Sequence, residues 1–248
     1  MDREFVTGFS GKGYREYGWR LLDSFQKYSG GQSLIAYTHD IDEQVRPWVR
    51  QREQDDIPGL AEFLAEHKNN KAVQGRADPG DRWKAKEKAN GYSFRFDAYK
   101  FCRMVFTMHH AAHHCETEYM VWLDGDTVVR KEIPADLVQR ALPEGFDYSY
   151  LGRAKKYTEA GFLVFKVPEV LPILDMWVGY YTSGDFIYED EWHSAWLFDR
   201  AREWFPTING YNLTPRGSGH VIHQCWVGSI FDHCKGNRKK KGRSPEAR

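Results

Sequence analysis

The chain has 248 residues with 35 basic and 35 acidic side chains, so its bulk charge excludes a simple polyanion binder. Hydrophobic residues make up 41% and aromatics 15%, which predicts a packed core with aromatic side chains to spare for a cleft. Four scattered cysteines form no C-x-x-C pair, and the longest apolar stretch, GFLVFKVPEVLPIL, is broken by Lys166 and Pro168, which argues against a disulfide framework and a membrane span.

Residues 4–9 read as a first strand that runs into the glycine-rich turn Gly8-Phe9-Ser10-Gly11-Lys12-Gly13. No Ser or Thr follows Lys12, so this turn is not a P-loop. Tyr17, Leu21, Phe25 and Tyr28 recur at helical spacing and predict a helix over 14–28, followed by a strand at 33–37. This β-α-β opening suggests a nucleotide-binding open sheet. Residues 51–92 are charged and dotted with Gly and Pro, with a helical patch at 60–67, and read as a mobile insertion or lid. The helical period returns from Phe94 through Ala112. A strand at 118–123, a helix near 135–141, strands at 148–151 and 161–167, and helices at 168–181 and 191–204 complete the pattern. With no internal repeat and no linker, residues 1–248 read as one domain. It ends in a basic tail over 235–248, where KGNRKKKGR carries no acid.

The most informative segment is YMVWLDGDTVV, from Tyr119 to Val129. A hydrophobic strand ends in Asp124 and Asp126, separated by Gly125. In an extended chain alternate side chains share a side, so the two carboxylates converge. Their repulsion calls for a cation, and hard oxygen donors favour Mn²⁺ or Mg²⁺. Gly125 lets a bulky anion approach the backbone. The letters DGDTV also fit the D-x-D-x-T/V motif of haloacid-dehalogenase-type phosphatases, with Asp124 as nucleophile and Asp126 as general acid. That motif normally ends a domain's first strand, whereas here two strands and two helices precede it.

Far along the chain, His233, Gly236 and Lys239 form H-x-x-G-x-x-K. With the central D-x-D, this resembles the glycogenin-like glycosyltransferases of the GT-A fold, although Lys240-Lys241 replace the Pro-Trp that often follows the lysine. The resemblance implies an α/β domain with an open, mostly parallel twisted sheet flanked by helices, Rossmann-like. It implies a donor that is a nucleotide-diphosphate sugar, a UDP-sugar being favoured, and a Mn²⁺ or Mg²⁺ ion held by Asp124, Asp126 and His233. Lys239, together with Lys235 and Arg238, would grip the diphosphate, with Gly236 allowing close approach. By the same resemblance Thr7, Gly8 and Phe9 contact the base and ribose, where a plain tight turn is the competing account. Arg95, Asp97 and Lys100 contact the donor nucleotide, where an ion pair at a helix start is the alternative. Glu159 stands where an N-A-G stretch would carry asparagine, and it would bind sugar hydroxyls. Asp190 or Glu191 would be the base that deprotonates the acceptor if the reaction inverts, although acids at a helix start are common for dipole reasons alone.

The run His109-His110-Ala111-Ala112-His113-His114-Cys115 resembles a zinc box, since histidines four apart share a helix face. No further ligand is spaced to close it, and a helix C-terminus favours histidines in any case. Small chains of this style without a signal peptide resemble transferases of bacterial viruses, which implies a cytoplasmic protein, in the host cytoplasm if viral. The acceptor would be a glycan or a hydroxymethylated pyrimidine in modified DNA. A phosphatase, or a nucleic-acid-binding module built on the basic tail, are the other classes open to this sequence.

Overall fold

The computed structural model describes residues 1–76 and 91–247. Residues 77–90, in the middle of the expected 51–92 insertion, lie outside the described residues. Strands β1 (Arg3–Ser10), β2 (Leu34–His39) and β3 (Arg50–Glu53) run parallel from the middle of the main sheet to one edge. Strand β4 (Tyr119–Leu123) is parallel to β1 on its other side. Strand β5 (Thr127–Val129) leaves the sheet. Strands β6 (Tyr148–Arg153) and β7 (Lys156–Lys166) are antiparallel to one another, with β7 antiparallel to β4. Strand β8 (Gly210–Asn212) closes the edge parallel to β6, giving the order β3-β2-β1-β4-β7-β6-β8, while β9 (Phe231–His233) pairs with β5 in a separate ribbon.

Period-two alternation sorts the strands onto two cores. Phe5, Leu34, Ala36, Val121, Leu123, Phe162 and Val164 face one side. Val6, Ile35, Tyr37, Met120, Trp122, Leu163 and Phe165 face the other. Both faces are covered, so the central strands read as continuous apolar runs. A short helix α1 (Gly11–Gly13), a π turn at Tyr14–Gly18 and α2 (Trp19–Tyr28) cover the first face. The expected helix over 14–28 is therefore a regular α-helix only from Trp19 onward. Helices α3 (Leu60–His67) and α4 (Ala98–His113) cover the second face. Helix α5 (Leu137–Ala141) packs on the first face, and α6 (Val167–Thr182) and α7 (Ser194–Glu203) join α4 on the second.

The described first part of 51–92, expected as an insertion or lid, carries regular structure. Residues 50–53 form an edge strand, and Leu60, Phe63 and Leu64 are buried, with the Phe63 ring against Tyr181 and Phe186. Charged letters concealed this, because an edge strand such as Arg50-Gln51-Arg52-Glu53 can be polar on both faces.

Asp97 caps α4. Its carboxylate accepts from the Lys100 backbone N–H at 3.0 Å and from the Tyr92 hydroxyl at 2.8 Å, and the residue is buried. Replacing it with alanine removes both bonds. Asp97→Ala is expected to cost about 1–2 kcal/mol in a urea melt with an unchanged slope. A variant as stable as wild type would show that the cap contributes nothing.

Candidate active site at the strand ends

The C-terminal edge of a parallel sheet is where open α/β folds bind ligands. Strand β4 ends there at Leu123, and the next residues form a turn, in which the Thr127 N–H donates to the Asp124 carbonyl at 2.9 Å. The expected convergence of Asp124 and Asp126 in an extended chain is thus replaced by convergence across a turn. The Asp124 N–H is held by the Gly161 carbonyl at 3.1 Å. Gly125 is required by a close approach, since a Cβ on it would sit 2.8 Å from the Gly8 carbonyl oxygen.

The far end of the chain arrives through the β5–β9 ribbon, whose register sets Thr127 opposite His233. Imidazole Nε2 of His233 lies 2.9 Å from Asp126 Oδ1 and 3.3 Å from Asp124 Oδ2. Its Nδ1 lies 3.0 Å from Glu159 Oε1, and Glu159 Oε2 is 2.6 Å from Lys235 Nζ. The ring fits only because residue 161 has no side chain. A Cβ on Gly161 would stand 2.1 Å from Nδ1. Lys239 Nζ lies 2.9 Å from Asp126 Oδ2 and 4.5 Å over the Tyr17 ring. Arg20 donates to the carbonyls of Lys239 and Lys240 at 2.9 and 3.3 Å, fixing helix α8 (Arg238–Lys241). The Asp126 and His233 side chains are 3% and 5% exposed but that of Asp124 is 40% exposed, so the cluster opens to solvent at Asp124.

The electrostatics follow from this packing. Burial alone would raise the Asp126 carboxyl, but His233 and Lys239 outweigh it and hold the group well below the usual carboxylate range. Glu159 follows the same balance, with burial opposed by His233 and Lys235, and is drawn down to about 2. Burial alone would lower His233, yet Asp126, Asp124 and Glu159 together raise it well above an ordinary imidazole. His220, the third member of a buried Glu159–His220–His233 group, has no hydrogen bond at either ring nitrogen among the described residues and is lowered to about 4 by burial.

The cluster fits a divalent ion. Oδ1 of Asp126 is buried without an aligned hydrogen bond, and it shares one region within 4.8 Å with ligand atoms of Asp124 and His233. Two carboxylates and one imidazole suit Mn²⁺. They suit Mg²⁺ less, because Mg²⁺ prefers an all-oxygen shell.

Glu159 has a different set of partners from the sugar hydroxyls expected for it. Buried and bound to His233 and Lys235, it orients the ring, as a carboxylate commonly does behind a ligating histidine. Thr7 is wholly buried in β1, while Gly8, by its carbonyl, and Phe9, whose ring also stacks with Tyr14, both lie against Gly125 of the D-x-D turn. Arg95 and Glu191 come together, with Nη1 to Oε1 at 3.2 Å, and His193 Nε2 lies 2.9 Å from Glu191 Oε2. Asp190 is exposed in the turn before them, and Lys100 is exposed on α4. Asp97 serves the α4 cap. Gly236 takes a left-handed conformation, φ 58°, in the turn that leads to Lys239. Tyr17, Arg20 and His220 were not legible as site residues, since none belongs to a motif and folding alone brings them here.

No protein-family model and no curated protein matches the chain. Solved structures do. Mouse xyloside xylosyltransferase 1, in its apo form, aligns at 10% identity over 86% of this chain and 85% of its own, with a TM-score of 0.49. A glycosyltransferase involved in glycosylation of the major capsid of PBCV-1 aligns at 12% identity over 98% of both chains, with a TM-score of 0.53. The second likeness, spanning nearly all of both molecules, establishes the fold expected from the sequence, the GT-A glycosyltransferase fold.

Two outcomes test the cluster. His233 must lose its proton to ligate, and its pKa is raised, so ion uptake should release a proton and tighten by up to about tenfold per pH unit below that pKa. Calorimetry in buffers of differing ionisation enthalpy reads this directly, and uptake without proton release would remove His233 from the ligand set. Gly161→Ala should displace the ring and weaken Mn²⁺ binding by about 10–100-fold while the far-ultraviolet circular dichroism is unchanged.

Proposed function

We propose that this protein is a metal-dependent glycosyltransferase that moves a sugar from a nucleotide-diphosphate donor, a UDP-sugar, to an acceptor hydroxyl. The observation that carries the reading is the meeting of Asp124, Asp126 and His233 at the sheet edge beside Lys239. Asp124, Asp126 and His233 would hold Mn²⁺, with Mg²⁺ as the weaker fit. When bound, that ion neutralises diphosphate charge and so makes the nucleotide a better leaving group. Glu159 keeps the ring turned toward the carboxylates. Lys239, released from Asp126, adds charge to the same phosphates, and Gly236 and Gly125 let the backbone come near them. Gly8, Arg95 and Lys100 remain the candidates for the nucleoside.

Of the two candidate bases, Glu191 is better built for the role than Asp190. It is largely buried, fixed by Arg95 and His193, and linked to the cluster through β7. Tyr157 of that strand packs on the His193 ring at 4.3 Å, two residues from Glu159. Glu191 would accept the acceptor's proton in an inverting reaction.

A glycan acceptor is favoured over DNA. Three cations of the basic tail are already matched, Lys235 to Glu159, Arg238 to Glu246 and Lys239 to Asp126, which leaves less charge to neutralise a phosphate backbone. The phosphatase reading loses ground because the carboxylates follow the fourth strand of the chain and not the first.

The test is a thermal-shift panel of nucleoside diphosphates with and without Mn²⁺, followed by donor hydrolysis. UDP should stabilise the wild-type protein only with the ion present, and Asp126→Ala should abolish both the shift and turnover, a loss of at least about a hundredfold. Turnover of simple phosphate esters without affinity for UDP would instead establish the phosphatase.

A further inference from the structure

The four histidines at the end of α4, His109, His110, His113 and the C-cap His114, divide between two faces. His110 and His114 stack on one another at 4.0 Å, with His110 Nδ1 bonded to the Tyr37 hydroxyl at 2.9 Å. His109 and His113, also four apart, turn toward α6 instead. There a single oxygen, Oδ1 of Asp175, lies 3.0 Å from His109 Nε2 and 2.8 Å from His113 Nε2. The sequence offers no third ligand near these histidines, because Asp175 is more than sixty residues away and reaches them only through helix packing.

We propose that His109, His113 and Asp175 form a second metal site, for a borderline divalent transition ion of which Zn²⁺ is the best match, joining α4 to α6. Two imidazoles and one carboxylate are a zinc donor set that leaves a fourth position for water. They contrast with the carboxylate-rich cluster at the sheet edge, which suits Mn²⁺. The three ligand atoms already lie within 4.8 Å of one another. Their present spacing is that of two N–H groups donating to one carboxylate oxygen. Widening each nitrogen–oxygen distance to about 3.3 Å, the edge of a tetrahedron with bonds of roughly 2.0–2.1 Å, admits the ion. In that change each ring's proton moves from Nε2 to Nδ1, so neutral imidazoles bind without a change in charge.

Two surroundings favour a cation here. The His109, His113 and Asp175 side chains are 27%, 38% and 54% exposed, so an ion can enter from solvent. His113 is the last residue of α4, the end at which the helix dipole places negative partial charge.

The experiment uses the full chain stripped of metal. Titration with Zn²⁺ against a chromophoric chelator, and with Co²⁺ read by its visible ligand-field bands, is run on the wild type and on Asp126→Asn. That variant disables the sheet-edge cluster without touching α4. Asp126→Asn should retain one Zn²⁺ and the intense bands of a four-coordinate Co²⁺ ion. Adding His113→Ala or His109→Ala should remove both signals, and adding Asp175→Asn should weaken Zn²⁺ by at least about tenfold. All three positions are partly exposed, and unchanged circular dichroism checks that the variants fold. Loss of Zn²⁺ in Asp126→Asn alone, or retention after both histidines are replaced, would overturn the proposal. Equal affinity with and without Asp175 would also overturn it, reducing the site to a surface histidine pair.

Discussion

One imidazole governs the candidate site. His233 sits among three carboxylates, with Glu159 behind it and Asp124 and Asp126 in front. Buried carboxylates at this spacing repel strongly and would protonate or splay without compensation. Three cations balance them, His233 itself, Lys235 on Glu159 and Lys239 on Asp126. Under the proposed function, the protonated ring stands in for the divalent charge that the cluster would receive. Exchanging one ring proton for a divalent ion leaves the group with one positive charge in excess. Under the proposed function, a loaded cluster would attract a diphosphate more strongly than an unloaded one, so ion would precede donor.

That ring must be delivered from the last part of the chain, and the fold commits several contacts to doing so. The β5–β9 ribbon begins immediately beyond the D-x-D turn, so the strand that follows the carboxylates is itself the template for the strand that carries the histidine. Asp232, next to His233, is fully buried and bonded to His223 at 3.1 Å and to the Ser244 backbone N–H at 2.8 Å. The terminal segment is thereby folded back onto the domain, and Ser244 and Ala247 are buried. Arg20 holds the carbonyls behind Lys239 from the other side. The residues expected to form a basic tail are, as far as Ala247, a wall of the site.

The alternating strands were readable because burial on both faces leaves little but apolar letters in Tyr119–Leu123 and its neighbours. The meeting of Asp124, Asp126 and His233 was readable for a different reason, since these residues carry chemistry that a packed core does not need. What could not be read depended on contacts between distant segments. Glu159 resembles any strand-entry acid until His233 and Lys235 are seen at its two oxygens. Asp97 has the letters of a nucleotide contact and of a helix cap, and its hydrogen bonds are those of a cap. Asp175 carries no signal at all, because a lone acid on a helix acquires meaning only from the histidines across from it. Strands β3 and β8 were lost because short edge strands need not alternate.

Helix α4 connects these regions. Its first turn is capped by Asp97, close in sequence to Arg95, whose carbonyl accepts from the Trp192 N–H at 2.6 Å and whose guanidinium holds Glu191. Its last turn carries His109 and His113 against α6. Sixteen residues separate the two ends, about 24 Å of rigid rod. The candidate base thus rests on an element whose opposite end packs on α6 through the apolar core and shares a carboxylate with it through two imidazoles. Hydrogen bonds at a half-exposed surface are weak fasteners, because water competes for each of them. Coordination bonds at the same three atoms would fix the helix more firmly, and with it the position of Arg95 and the carboxylate it holds. The proposed site on α4, remote from the sheet edge, would therefore bear on the geometry there without contributing an atom to it.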